Sequence, residues 1–336
     1  MKRIVLSILP LLIAANISFA QKKLFKADTT LAGKWVEQAL LLHTQEKFDT
    51  AKVLFEKASC LYKKHQLWMP YVNCLNKTSL ILFSLADYEA SLLTAQQSLQ
   101  ENQSNLNKDN GAEAEAYLLV AKAYYEKGEL APALENTQNA LRIYVKLFGE
   151  QHPDVAASYT TIGDIYFDES KYDPAIEYYQ KALQIKCTLL GETHTEVARS
   201  YSSIAFVYRN KGDLDKALEY YQKSLQLWMK AVGEAHSEVG YAYNNIGIIY
   251  YFKGEYDKAL EYNTKGLNIR LKIFGEQHPD VAASYNNRGS IFRGKGEDRI
   301  GIEFYKKALE IRRKVYGDTH RMVAASYNNV GPAIMK

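Results

Sequence analysis

Gly149-Glu150-Gln151-His152-Pro153-Asp154-Val155-Ala156 is the stretch whose reading decides the fold. It returns at 191–198, 233–240, 275–282 and 317–324, each start 42 residues after the last. A fixed period with no insertion means one supersecondary unit copied many times. Such a unit is too small to bury its own apolar face, so neighbours stack into a solenoid.

Working outward from that string, two helical patterns alternate. Tyr159, Ile162, Gly163 and Tyr166 fall at i, i+3, i+4 and i+7, one stripe of a 3.6-residue helix. The same slots hold Tyr201, Ile204, Ala205 and Tyr208, then Tyr243, Ile246, Gly247 and Tyr250. The small third residue lets a partner helix come close, at a propensity cost of about 1 kcal/mol where it is Gly. A turn with Gly212, Gly254 or Gly296 follows. The second helix starts near Tyr172, Leu214 or Tyr256, packs through Ala175, Tyr179 and Ala182 or Ala217, Tyr221 and Ser224, and stops at the next repeat's Gly. Pro153 and Pro279 sit where a first helical residue needs no N–H.

These residues resemble the tetratricopeptide repeat. The 42-residue length and the Gly-Glu-x-His-Pro-Asp-Val-Ala-x-Ser-Tyr-Asn-Asn string are similar to the variant typified by kinesin light chain, over residues 31–336. The resemblance implies an all-α, right-handed superhelical solenoid of antiparallel helix pairs. Ala121, Tyr124, Gly128, Ala133 and Ala140 extend the frame backwards; Ser79, Leu82, Ala86, Tyr88 and Ser91 make a weaker repeat; Ala39, Leu42, Phe48, Ala51 and Ala58 make the first. The expected organisation is two divergent repeats at 31–109, five regular ones at 110–320, and the opening helix of an incomplete eighth at 321–336. That helix contains Pro332 and keeps the core pattern where a polar cap is normal, so it reads as a poor cap or as part of a longer design.

Composition agrees with a folded, helical chain. Of 336 residues, 47% are hydrophobic and 24% charged, while 26 Tyr stand against 7 Pro. A net charge of +4 without a Lys/Arg block gives no nucleic-acid footprint. At the N-terminus, Lys2 and Arg3 precede a mostly apolar stretch at 4–17, and Ser18-Phe19-Ala20 offers a cleavage site. Residues 1–20 therefore read as a signal peptide, 21–30 as a linker, and the chain as exported, periplasmic or secreted, after cleavage near Ala20. The stretch is short for a membrane span, and none is expected in the mature chain. Cys60, Cys74 and Cys187 are too few for a disulfide scaffold. Cys60 and Cys74 either meet across adjacent helices or serve as small packing residues.

Five histidines, His152, His194, His236, His278 and His320, occupy one slot in separate layers, so they need not converge on a metal. The slot precedes a helix, where capping or packing on the previous pair is expected. Asp154, Glu196, Glu238 and Asp280 lie in the first helical turn, suited to the helix dipole and not to paired-carboxylate catalysis. There is no phosphate loop, nucleophile elbow or metal-binding helix motif; Gly289-Ser290 and Gly294-Lys295-Gly296 follow a helical pattern and no strand. No enzyme activity, cofactor or metal is expected.

A polar ladder is more informative. Thr160-Thr161, Ser202-Ser203, Asn244-Asn245, Asn286-Asn287 and Asn328-Asn329 lie beside the buried stripe of successive first helices. Asn is a mediocre helix former, and its amide both donates and accepts, which suits the backbone of an extended peptide. The resemblance implies that Asn245, Asn287 and Asn329 hold ligand backbone, while Thr161 and Ser203 depart from the pattern. The competing reading is that the Asn pairs tie neighbouring repeats together. One turn further on lie Asp164, Phe167 and Asp168, then Phe206, Arg209 and Asn210, then Ile248, Tyr251 and Phe252, then Ser290, Arg293 and Gly294. The expected function is a protein-interaction scaffold whose concave groove, centred on 195–294, takes a peptide through these Asn residues with Arg209, Tyr251, Phe252 and Arg293. The alternative is the sensor or adaptor portion of a larger exported enzyme. A cytosolic cargo adaptor conflicts with the signal peptide.

Overall fold

The computed structural model describes the backbone of residues 2–331 and the side chains of residues 21–331. Side chains of residues 1–20, expected to form a leader, and Pro332 with the rest of the expected last helix, lie outside the described residues. The described residues form helices and no strand: α1 Lys2–Thr44, α2 Phe48–Lys64, α3 Trp68–Ser84, α4 Tyr88–Asn105, α5 Gly111–Glu126, α6 Leu130–Phe148, α7 Pro153–Asp168, α8 Tyr172–Leu190, α9 Thr195–Lys211, α10 Leu214–Val232, α11 Ser237–Phe252, α12 Tyr256–Phe274, α13 Pro279–Gly294, α14 Asp298–Tyr316 and α15 Arg321–Val330. The chain is all-α, and the second helices begin at Tyr172, Leu214 and Tyr256 as the periodicity requires. It divides into two compact units, Met1–Ile165 and Tyr166–Lys336.

In the first unit α1 pairs with α2, α3 with α4 and α5 with α6. Ala39, Ala51, Ala58, Ala121, Ala133 and Ala140 are fully buried, because only a methyl fits where the backbones approach. The weaker repeat uses serines at that contact. Ser79 Oγ donates to the Ser91 carbonyl and Ser91 Oγ to the Ser79 carbonyl, both at 2.9 Å, so two buried hydroxyls are satisfied across one pair. Cys60 is exposed and Cys74 buried, and neither is in a disulfide. Burial pushes the Cys74 thiol up to about 12, so it packs as a small apolar group.

The segment 21–30 is not a linker but part of α1. It contains no Gly or Pro to break a helix, and it has something to pack on. Asp28 accepts from Lys64 Nζ at 2.8 Å and contacts His65 Nε2 at 2.9 Å, while the Phe25 ring meets the His65 ring edge-on.

In the second unit α9 pairs with α10, α11 with α12 and α13 with α14, and α15 packs on α14. Ile204, Ile246 and Ile249 are fully buried along the first-helix stripe, and Tyr221 and Trp228 fill the second-helix side. Each such aliphatic side chain contributes about 1.5–3 kcal/mol by leaving water. The second helices end on Gly191, Gly233, Gly275 and Gly317, whose φ values of +76° to +85° with ψ near 150–175° belong to a region only glycine enters freely.

Candidate functional site

The repeated histidines are helix caps. Nδ1 of His194, His236, His278 and His320 accepts the backbone N–H two residues on, at 3.1–3.2 Å. Most also stack on the last aromatic of the preceding helix: Phe274–His278 at 4.2 Å, Tyr316–His320 at 4.4 Å and Trp228–His236 at 6.3 Å. One ring thus closes a helix and packs a layer. Among the described residues no group of three His, Cys, Asp or Glu is arranged to hold a metal ion.

The polar ladder is built by α11, α13 and α15. Asn287 Nδ2 donates to Asn244 Oδ1 at 3.0 Å, and Asn329 Nδ2 donates to Asn286 Oδ1 at 2.8 Å. The second Asn of each layer therefore grips the first Asn of the layer before. Asn244 is buried, Asn286, Asn287 and Asn329 are half-buried or at the edge of exposure, and Asn328 is exposed. Asn245 is half-buried and has no hydrogen-bond partner among the described residues, since the layer before offers Ser202, whose hydroxyl meets Ser224 Oγ at 2.7 Å. Thr160 and Thr161 turn their hydroxyls back onto the Ala156 and Ala157 carbonyls of their own helix. Each inter-layer amide bond still leaves the donating Asn one N–H and its carbonyl oxygen, and the accepting Asn its NH2 and one lone pair.

A cavity of about 620 Å³ opens beside this ladder within the second unit. It is lined by Arg209, Asn210, Gly212, Leu214, Asn244, Gly247, Ile248, Tyr251, Phe252, Asn263, Asn287, Ser290 and Ile291. Its lining residues include four carboxamides, one guanidinium, the Ser290 hydroxyl, the Tyr251 phenol and the Phe252 ring, and no carboxylate. Phe252 is 58% exposed at the rim, with Tyr251 packed edge-on against it at 5.5 Å. The Arg209 guanidinium lies 4.5 Å from the Phe206 ring centre. Of the residues expected at the site, Arg209, Asn244, Asn287, Tyr251 and Phe252 meet here; Asn245, Asn286, Asn328, Asn329 and Arg293 do not line the cavity. Arg293 lies over the Tyr305 ring and 3.7 Å from Asp298.

Asn263 and Arg288 are missing from the sequence expectation. Arg288 Nε donates to Asn263 Oδ1 at 3.0 Å and Arg288 Nη2 to Thr264 Oγ1 at 2.8 Å, while Asn263 Nδ2 donates to the Ser284 carbonyl at 3.0 Å. Burial draws the Arg288 guanidinium below its ordinary pKa. The signal was present: Arg288 breaks the run Ile162, Ile204, Ile246, and Asn263 breaks the run Tyr179, Tyr221, each at the 42-residue period.

In the first unit a separate cavity of about 410 Å³ is lined by Val36, Leu40, Phe55, Tyr62, Pro70, Asn73, Cys74, Lys77 and Glu115. Lys77 and Glu115 pair across it at 2.6 Å. The neighbouring Asn76, fully buried, donates to the Ala112 carbonyl at 2.9 Å, so an amide ties layers here too.

The sequence model described as "Tetratricopeptide repeat" matches residues 112–188, 196–272, 242–299 and 280–331. No curated protein sequence matches the chain. Among solved structures, the chain is similar to BtubC (BKLC) from P. vanneervenii, 23% identical over 69% of this chain and 91% of that one, TM-score 0.56. It is similar to the nearly identical repeats of kinesin-light-chain type from Podosopora anserina, 19% identical over 61% of this chain and 96% of that one, TM-score 0.54. It also matches the STAND ATPase with a tetratricopeptide repeat sensor, PH0952 from Pyrococcus horikoshii, at 17% identity and TM-score 0.69, over 89% of this chain and 43% of that one.

Proposed function

We propose, for a chain that belongs to the tetratricopeptide repeat family, that it is a protein-interaction scaffold whose second-unit groove binds an extended segment of a partner protein. The observation that carries this reading is the cavity beside the amide ladder, which combines exposed aromatic anchors with polar groups suited to a peptide backbone. Large aromatic residues surrounded by desolvated polar contacts are where binding energy concentrates in such interfaces. Asn287 serves both roles weighed from the sequence: it ties two layers and leaves its carbonyl oxygen for a guest.

The test begins with a pull-down on the tagged mature chain from envelope fractions, followed by calorimetry with the captured segment as a synthetic peptide. The Arg209→Ala/Phe252→Ala pair removes a guanidinium and a rim aromatic, both lining the cavity, without touching the inter-layer bonds. Affinity is expected to fall at least about tenfold, the equivalent of about 1.4 kcal/mol. Unchanged affinity with unchanged melting discards the groove. The charged pair at 2–3, the apolar stretch and the Ser18-Phe19-Ala20 site support export. N-terminal sequencing of the cellular protein checks this: a start at Gln21 is expected, and a start at Met1 rejects it.

A further inference from the structure

The cavity in the second unit has a specific origin. The second helices carry a buried tyrosine at one repeated slot: Tyr179, Tyr221 and Tyr305 are 7%, 1% and 4% exposed. In α12 the residue at that slot is Asn263. What the ring does elsewhere is visible in α13 and α14. A Cβ built on Gly289 would come within 2.8 Å of Cδ1 and Cε1 of Tyr305, so the ring is packed directly against that glycine. Its hydroxyl reaches Ser290 Oγ at 3.0 Å.

The layer formed by α11 and α12 keeps the glycine, Gly247, and has no ring to lay on it. The atoms nearest a Cβ there would be the Ala259 carbonyl oxygen, the Asn263 nitrogen and the Cβ of Tyr262. Where the neighbouring layers carry a tyrosine, this layer carries Asn263, and Gly247, Ile248 and Asn263 help to line the cavity. The same layer boundary replaces the core isoleucine by Arg288, whose Nε donates to Asn263 Oδ1. The two departures form one coupled exchange, Tyr with Ile for Asn with Arg, which keeps the backbone packing while removing a ring. A cavity that followed from loose packing would have no reason to carry a hydrogen-bonded amide at its base.

We propose that this cavity is a receptor for a tyrosine side chain, supplied by the bound segment and inserted hydroxyl first toward Asn263. The inference rests on the groove reading above and adds the chemistry of its anchor. An incoming ring stands over Gly247 as Tyr305 stands over Gly289. Asn263 Oδ1 receives one hydrogen bond from Arg288 and keeps a second lone pair for a phenolic O–H. Satisfying that buried group separates a phenol from a bare ring, because an apolar tip leaves the amide oxygen half-used.

The test uses p-cresol, the tyrosine side chain itself, with toluene as its counterpart, on the isotope-labelled full chain. Saturable amide shifts are expected at Gly247, Ile248 and Asn263, with toluene about fivefold weaker, the ratio that one ordinary hydrogen bond gives. Asn263→Tyr/Arg288→Ile restores the pair found at Tyr221 and Ile246 and fills the site from within; p-cresol shifts should vanish while the melting temperature holds or rises. Ile248→Phe, which copies Phe206 of the layer before, blocks the same space should the double variant not fold. Absence of saturable shifts, equal binding of toluene, or shifts that survive both variants would overturn the proposal. A captured segment that binds the groove with no tyrosine also overturns it, yet leaves the groove reading standing.

Discussion

Asp109 shows how one residue links sequence, turn and pH. It sits at φ +57°, just before α5, and accepts from Arg142 at 2.8 Å and Lys146 at 2.6 Å. Those two hydrogen bonds hold its carboxyl well below the carboxylate range, at about 2. The folded value lies under an unfolded one of about 3.9, so the stabilisation is complete above about pH 4 and is lost as pH falls toward about 2. Asp109→Asn, which tolerates the same backbone, is expected to flatten the melting curve's dependence on pH across that window and leave its shape above about pH 5 unchanged. At Tyr221, buried to 1% exposure, truncation to Ala is expected to cost about 3–5 kcal/mol by denaturant titration, since transfer and cavity terms add. The buried tyrosine was readable from its slot; the break in that run at Asn263 was visible too, but its consequence shows only once the neighbouring layers are seen around it.

At the scale of the element, every second helix from α6 on closes on a glycine that the sequence announces. Gly233 ends α10 at φ +81°, ψ 168°, and Gly233→Ala is expected to lower stability by about 1–3 kcal/mol in the same titration. Gly111 gives the opposite sign. It opens α5 without a positive φ, and a methyl added to its Cα would meet nothing within 4 Å. Gly111→Ala is therefore expected to raise stability by about 0.4–1 kcal/mol. His278→Ala removes both the α13 cap and the ring stacked on Phe274, with an expected loss of about 1 kcal/mol by thermal melting. Caps were legible because they depend on residues two to four apart. The helical segment 21–30 was not, because its helicity rests on Asp28 meeting Lys64 and His65, far along the chain.

At the scale of the molecule, layers are joined by recurrent cross-layer pairs. Lys127–Glu89, Lys211–Asp173, Lys253–Asp215 and Lys295–Asp257 repeat one geometry on the surface. Exposed pairs of this kind contribute little and are screened by salt. The amide ladder and the buried arginines reach deeper: Arg270 and Arg312 each donate to a buried serine of the following helix, Ser284 and Ser326, at 2.7 Å. In a stack of this kind each layer depends on its neighbours. α15 packs on α14 and shows Tyr327 46% exposed, whereas α10 is flanked by α9 and α11. Hydrogen exchange is therefore expected to be at least about tenfold faster in α15 than in α10; equal protection would mean that α15 has a further neighbour.

The sequence by itself determined the helices, their pairing and the slots that face inward, because period, caps and small contact residues act over one or two repeats. Only the tertiary structure decided which amides face one another and where a ring is lacking. Those properties depend on atoms brought together from different layers, such as Asn287 on Asn244 and Arg288 on Asn263, whose meeting no local pattern encodes.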